Sequence, residues 1–302
     1  MSPSPRSLIL NLLVGTESRG GEPLSVRELL AACAVFGLEG NAVRVALARG
    51  VAAGLLMATR RGVYALGPQA RPIADEVHSW RATATRLAEW SGDWLAVHVG
   101  ATGRSDRVAL RARDRAFGFL GLAEFERGLH LRPDNLTGGI AALRQRLGAL
   151  LPAGTEAGTA FVLRGLTAAD QQRAESLWDS EALDARYRDA TAQMAAWMDR
   201  AEGLPLDQAA RESFGLGNDA IRHVVFDPLL PAPLVDGAAR MRFFDTVARF
   251  DDLGQAIWQR LLASVPRPGQ ALPPTPAIPA TPAIPTTDPA TRVPPDPAAA
   301  HP

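Results

Sequence analysis

Leucines at positions 8, 12 and 13 fall on one side of a helix at about 100° per residue, so the chain is expected to open on an amphipathic helix. A second helix is announced by Ser25-Val-Arg-Glu28, a capping box. The serine hydroxyl accepts from the amide three residues on, and the glutamate reaches back. Val26, Leu29, Leu30 and Cys33 continue it at helical spacing until Gly37 stops it after Phe36. Asn41 is the expected N-cap of a third helix. On the wheel of that helix Val43, Ala46, Leu47, Gly50 and Gly54 share one face, suited to packing on the first two. Asn41, Val45, Ala48 and Ala52 point the opposite way, with Arg44 and Arg49 on either side of them. Two short β-like runs between Leu55 and Leu66 then flank Arg60-Arg61-Gly62, which predicts a hairpin with two cations at its tip.

From Trp94 the period changes. Trp94 to Gly100, Gly128 to Arg132 and Ala160 to Arg164 read as strands, and Ala109 to Phe125 and Asn135 to Leu147 as the helices between them. Such alternation within about 70 residues predicts a small α+β domain of ferredoxin-like type. After Thr167 the pattern is helical up to Leu262, apart from a proline-rich turn at Asp227-Pro-Leu-Leu-Pro-Ala-Pro233. Residues 266–302 hold 13 of the 24 prolines, a near-repeat and no aromatic residue, which predicts a disordered tail biased to extended conformations. The expected fold is thus α+β and multidomain, divided as 1–80, 81–166, 167–265 and the tail 266–302.

Composition narrows the function classes. The 302 residues are 47% hydrophobic with a formal net charge of zero, which excludes a wholly basic nucleic-acid binder but not a local basic patch. Between Leu24 and Leu66 stand five arginines and only two acids, Glu28 and Glu39, a local excess of three positive charges. The single cysteine, Cys33, excludes an intrachain disulfide scaffold. No apolar run approaches the roughly 18 residues of a membrane span, so a cytoplasmic protein without membrane contact is expected.

The outward face of the third helix fits a DNA major groove. Small side chains such as Ala48 permit close approach and touch thymine methyls, while Arg44 and Arg49 reach guanine edges or phosphates and Asn41 a base or phosphate. Arg60 and Arg61 at a hairpin tip suit the backbone or the minor groove, where negative potential favours arginine. Helix, turn, helix and basic hairpin together make a winged helix-turn-helix. The competing reading is a winged-helix module that assembles with protein rather than DNA.

At these positions the chain resembles the phenylacetic-acid degradation repressor (PaaX) family. The resemblance rests on Phe36-Gly37, Val43-Arg-Val-Ala-Leu47, Gly54-Leu-Leu, Arg60-Arg-Gly and Tyr64-Ala-Leu. It continues through Trp90-Ser-Gly-Asp-Trp94, Leu131-Arg-Pro-Asp-Asn-Leu136 and Asp227-Pro-Leu-Leu-Pro-Ala-Pro-Leu234, and runs in order from about residue 5 to 262. Two positions depart from it: Gly50, where a larger apolar residue is expected, and His223-Val224, where Tyr-Arg is commoner. The resemblance implies a homodimeric transcriptional repressor on a double-stranded operator. Its middle domain is similar to the small CRISPR-associated nucleases of ferredoxin-like fold, and its release follows binding of an aryl-acetyl-CoA thioester.

The residues themselves carry no CoA signature. The densest cation cluster is Arg104, Arg107, Arg111, Arg113 and Arg115, with Arg111 and Arg115 on one helix face and Arg113 opposite. With Trp94 and His223 near an aromatic-acyl pocket, Arg111 and Arg115 are the candidate effector contacts, against the plainer reading of a solvated helix face. Enzymatic chemistry is not expected. The first strand of the middle domain ends Val97-His-Val-Gly-Ala-Thr102 without the carboxylate that a metal nuclease needs. His98 and His130 lack a third ligand, Cys33 reads as structural, and no cofactor motif is visible.

Overall fold

Helix α1 (Pro5–Glu17) forms where the leucine spacing places it and buries Leu8, Ile9, Leu12 and Leu13. The computed structural model describes residues 3–17, 20–71, 74, 79–100, 107–152 and 154–265. The segment 266–302 read as a tail, and Arg104, lie outside them. The capping box is made: the Glu28 amide donates to Ser25 Oγ at 3.2 Å, and the Ser25 amide donates to Glu28 Oε2 at 2.7 Å. It opens α2 (Val26–Ala34). Leu24–Ser25 also forms a two-residue strand, β1, that the sequence reading did not anticipate.

Helix α3 (Gly40–Ala52) corrects one expectation. Its N-cap is Glu39, without a side-chain cap, and Asn41 is the second helical residue. The physical reason lies in the preceding turn. Gly37 adopts φ +70°, a left-handed conformation open to glycine, and the Leu38 amide closes back on the Cys33 carbonyl at 3.1 Å. The chain therefore enters the helix two residues earlier. The hairpin follows as β2 (Leu56–Arg60) and β3 (Val63–Leu66), and β1 pairs with β3 to complete a three-stranded antiparallel sheet.

Gly50 is explained by this sheet. A Cβ there would stand 2.7 Å from Leu56 Cδ1 and 2.9 Å from Cγ, so the glycine is what lets α3 lie against β2. Burial of this contact offsets the helix-propensity cost of about 1 kcal/mol. A larger apolar residue has no room.

A second sheet joins β4 (Trp94–His98), β5 (Ala123–Glu126), β6 (Leu129–Pro133) and β7 (Thr159–Leu163) in the order β5-β6-β4-β7, all antiparallel. Two helices cross between its strands, α4 (Arg107–Phe119) and α5 (Gly139–Leu150). The helix expected to run to Phe125 ends at Phe119, and β5 takes its last residues. Gly121 turns the chain at φ +69°, where a Cβ would sit 2.9 Å from the Pro228 carbonyl oxygen. On one face of the sheet Leu95, Val97 and Ala160 pack with Phe117, Leu120, Leu143 and Leu147 of the helix side. On the other, Trp94, Ala96 and Leu131 pack with Ala174, Leu230, Leu234 and Val235.

The rest is helical, as the pattern predicts: α6 (Ala168–Glu175), α7 (Ser180–Arg200), α8 (Leu206–Val225) and α9 (Gly237–Ala263). Thr167, Asp179 and Asp236 cap α6, α7 and α9 through their side-chain oxygens. The largest core runs without interruption from Leu8, Leu13, Leu29 and Leu47 of the first helices to Trp197, Phe243, Phe250 and Trp258 of the last ones. No described helix is long and apolar enough to cross a membrane.

Candidate nucleic-acid interface

The wheel of α3 holds in part: Ala46 is half-buried, and Gly54 lies beyond the helix, which ends at Ala52, in a left-handed turn (φ +67°). Val43, Leu47 and Gly50 are buried, while Asn41, Arg44, Val45, Ala48, Arg49 and Ala52 are all exposed. The outward face thus has a floor of small or branched apolar side chains between two guanidinium groups. Because Asn41 does not cap the helix, its amide is left for an outside partner. Beside this face, Arg60 and Arg61 stand exposed at the end of the hairpin. Gly62 (φ +72°) makes the turn, and its carbonyl accepts from the Val26 amide at 2.8 Å, which ties the tip to the start of α2. Cations on two elements therefore sit on a short scaffold fixed at both ends.

The two motifs farther along the chain meet each other. Arg132 is fully desolvated, and burial, then the nearby Arg146 charge, pulls its guanidinium down to about 9, still a cation at neutral pH. It donates to the carbonyls of Leu120 (2.5 Å) and Pro133 (3.2 Å) and to Asn135 Oδ1 (3.2 Å). The Asn135 amide nitrogen then donates to the Leu229 carbonyl at 2.6 Å. Leu229 belongs to the proline-rich turn, where Asp227 accepts from Tyr187 Oη and from the Leu229 amide, each at 2.7 Å. Arg240 of α9 donates to the Leu230 carbonyl. Asn135 is completely buried, so this polar cluster sits in the interior rather than at a solvent-filled cleft.

Family comparison agrees with these motifs at both ends of the chain. The family model described as PaaX-like protein matches residues 4–70, and the PaaX-like protein C-terminal domain matches residues 178–260. The chain belongs to the PaaX-like family. Among solved structures, this PaaX-like chain is similar to an uncharacterized protein from Mycobacterium tuberculosis. That likeness has a TM-score of 0.51 at 22% identity and covers 81% of this chain and 97% of the other, a likeness of fold. No curated protein matches it by sequence.

The residues singled out for an effector are not gathered by the PaaX-like fold. Arg111 and Arg115 lie exposed on the outer face of α4, and neither forms an ion pair with a described residue. Arg113, on the opposite face, is buried. Trp94 packs within the far side of the sheet, 0% exposed, its ring edge-on to Trp90 at 5.3 Å and stacked on Trp178 at 6.2 Å. Its indole nitrogen is taken by Gln171 Oε1 at 2.9 Å. Trp94 is therefore core rather than pocket lining. His223 stands half-buried on α8, and burial, reinforced by the Arg186 charge, lowers its pKa. Its Nδ1 has no hydrogen-bond partner among the described residues.

The other polar candidates separate in the same way. His130 pairs with Val97 across the sheet, so it faces the helix side and meets Phe117 edge-on at 4.7 Å. His98 pairs with Leu129 and faces the other side. Among the described residues no group of three His, Cys, Asp or Glu is placed to hold a metal. Cys33 is buried on α2, and that burial pushes its thiol up to about 11, which keeps it protonated and unreactive at neutral pH.

Proposed function

We propose that this protein is a transcriptional regulator whose residues 1–80 act as a winged helix-turn-helix, with α3 in the major groove and the β2–β3 hairpin as the wing. The observation that carries the reading is the exposed face of α3, small in the middle and flanked by Arg44 and Arg49, beside the exposed Arg60 and Arg61. Asn41, Arg44, Ala48 and Arg49 are the base-proximal set, and Arg60 and Arg61 the backbone set. Membership of the PaaX-like family supports regulation of a catabolic pathway, with the βαββαβ segment 81–166 as a ferredoxin-like middle domain and 167–265 as a helical domain. Repression relieved by an aryl-acyl-CoA thioester extends the same reading. Arg111 and Arg115, exposed and without an ion pair among the described residues, are the cations available to its phosphates.

Fluorescence anisotropy with an operator selected from genomic fragments tests this. Arg44→Ala is expected to cost about 1–3 kcal/mol and to relax the sequence preference, as loss of a base contact does. Arg61→Ala is expected to weaken every sequence alike and to flatten the slope of log K against log salt by about 1. Wild-type binding by both variants overturns the surface assignment and favours the protein-assembly reading. Release of the bound fragment by a panel of CoA thioesters reads out the effector.

A further inference from the structure

The polar and aromatic reach of α8 and α9 is directed at one place. Arg211, Phe214 and Asn218 recur on α8 at i, i+3 and i+7 and so share a face. Arg211 donates its Nε hydrogen to the Val35 carbonyl at 2.9 Å, and Val35 is the C-cap of α2. Phe214 meets Phe36 edge-on with centroids 5.3 Å apart, and Phe36 lies nearly parallel to Trp258 of α9 at 6.3 Å. Asn218 Oδ1 accepts from Asn11 of α1 at 3.0 Å. The Gln255 side chain of α9 comes so close to Gly15 that a Cβ there would stand 2.9 Å from its amide nitrogen. These contacts land on α1, on the end of α2 and on the turn that leads into α3. The outward face of α3 and the hairpin tip remain exposed.

We propose that α8 and α9 clamp the turn between α2 and α3, which makes Phe36, Arg211, Phe214 and Trp258 positioning residues for operator recognition. The inference rests on the DNA-binding reading and concerns what sets the pose of α3. Residues 35–39 are all that joins the two helices; Leu38 packs on the main core, and the hydrogen bond and ring contacts from α8 and α9 reach the turn through Val35 and Phe36. Side chains that read base edges must be held to about 0.5 Å and 10–20°. A turn whose end carbonyl is bonded and whose aromatic ring packs in one cluster with Phe214 and Trp258 meets that demand. The same helix α8, about 30 Å long at 1.5 Å per residue, runs on into Asp227 and the turn that Asn135 holds.

Arg211→Ala is the variant of choice, since the Arg211 side chain is 50% exposed and its loss leaves the core intact. Operator and scrambled duplexes are titrated by anisotropy across a salt series, with thermal melts alongside. The clamp predicts about a tenfold loss on the operator, the size of one lost base contact. It also predicts unchanged binding of the scrambled duplex, an unchanged salt slope and a melting temperature near wild type. Arg211→Lys, which still offers a donor to the Val35 carbonyl, recovers part of the loss. Phe36→Leu, which keeps the apolar volume but removes the ring stack, gives the same loss of specificity. A salt slope flattened by about 1 with both duplexes weakened makes Arg211 a phosphate contact and overturns the clamp. So does wild-type specificity in both Arg211→Ala and Phe36→Leu. If Arg44→Ala loses operator affinity while these variants do not, the clamp alone falls. If the wild-type chain binds neither duplex, the DNA-binding reading falls and the clamp with it.

Discussion

Asp227 shows how one residue can join α7 to the proline-rich turn and carry a pH dependence. Its carboxylate is buried and accepts from Tyr187 Oη and the Leu229 amide. Burial nevertheless outweighs these bonds and raises its pKa above the ordinary 3.8. A carboxyl raised on folding binds its proton more tightly in the native state. Its contribution to stability is thus fully present below the unfolded value and is lost as pH rises through the folded one. Asp227→Asn lacks that titration but leaves one of the two donors facing an amide, a cost of about 1–3 kcal/mol. Urea melts of wild type and variant are expected to show a gap in stability that narrows as pH rises above the ordinary carboxyl value of 3.8. A gap of constant size above that value contradicts this account.

Among the elements, the hinge between the middle sheet and the helices is carried by Asn135. With Asn135→Ala, the buried Arg132 loses an acceptor and the Leu229 carbonyl loses its donor, neither of which has water to replace it. The expected loss is about 2–4 kcal/mol, because one of the orphaned groups is charged. Thermal denaturation checks it, and a shift too small to measure would mean that water enters the cluster. Most elements were legible from local pattern. The capping box fixed the start of α2, and the wheel of α3 divided its faces as the structure does. What local pattern could not carry came from partners distant in the chain. β5 was hidden because Leu122 and Phe125 continue the helical spacing of α4, while the break at Gly121 answers to Pro228, more than a hundred residues on. The residue type of Asn41 favours a cap, whereas the turn at Gly37 decides where the helix starts. An aromatic at a strand end such as Trp94 looks available to a ligand in the sequence, and the packing of Trp90, Trp178 and Gln171 around it encloses it. Phe36, Arg211 and Trp258 carry no local signal of their partnership.

At the scale of the whole molecule, a neutral chain carries a local excess of three positive charges between Leu24 and Leu66, and the proposed DNA-binding role gives it one small reading head there. A single such head reads too few base pairs for useful discrimination, whereas two related by a two-fold axis match an inverted repeat with half-sites about 10 base pairs apart or a multiple of that. Sedimentation at micromolar concentration is therefore expected to give a dimeric mass, with two chains per operator duplex. A monomer that binds one-to-one refutes this.

The uninterrupted core from Leu8 to Leu261 has a practical corollary for anyone who wishes to retarget this protein. Grafting the first 71 residues onto another regulator, or exchanging them for a homologous block, would strip Phe36 and the inner sides of α1 and α2 of their cover and leave an apolar face wet. The reading head is not a detachable cartridge. On the proposed DNA-binding role, new specificity has to be written into the outward positions of α3 by point substitution, with Asn41, Arg44, Ala48 and Arg49 as the editable letters and the side turned toward α1, α2 and β2 left as it stands.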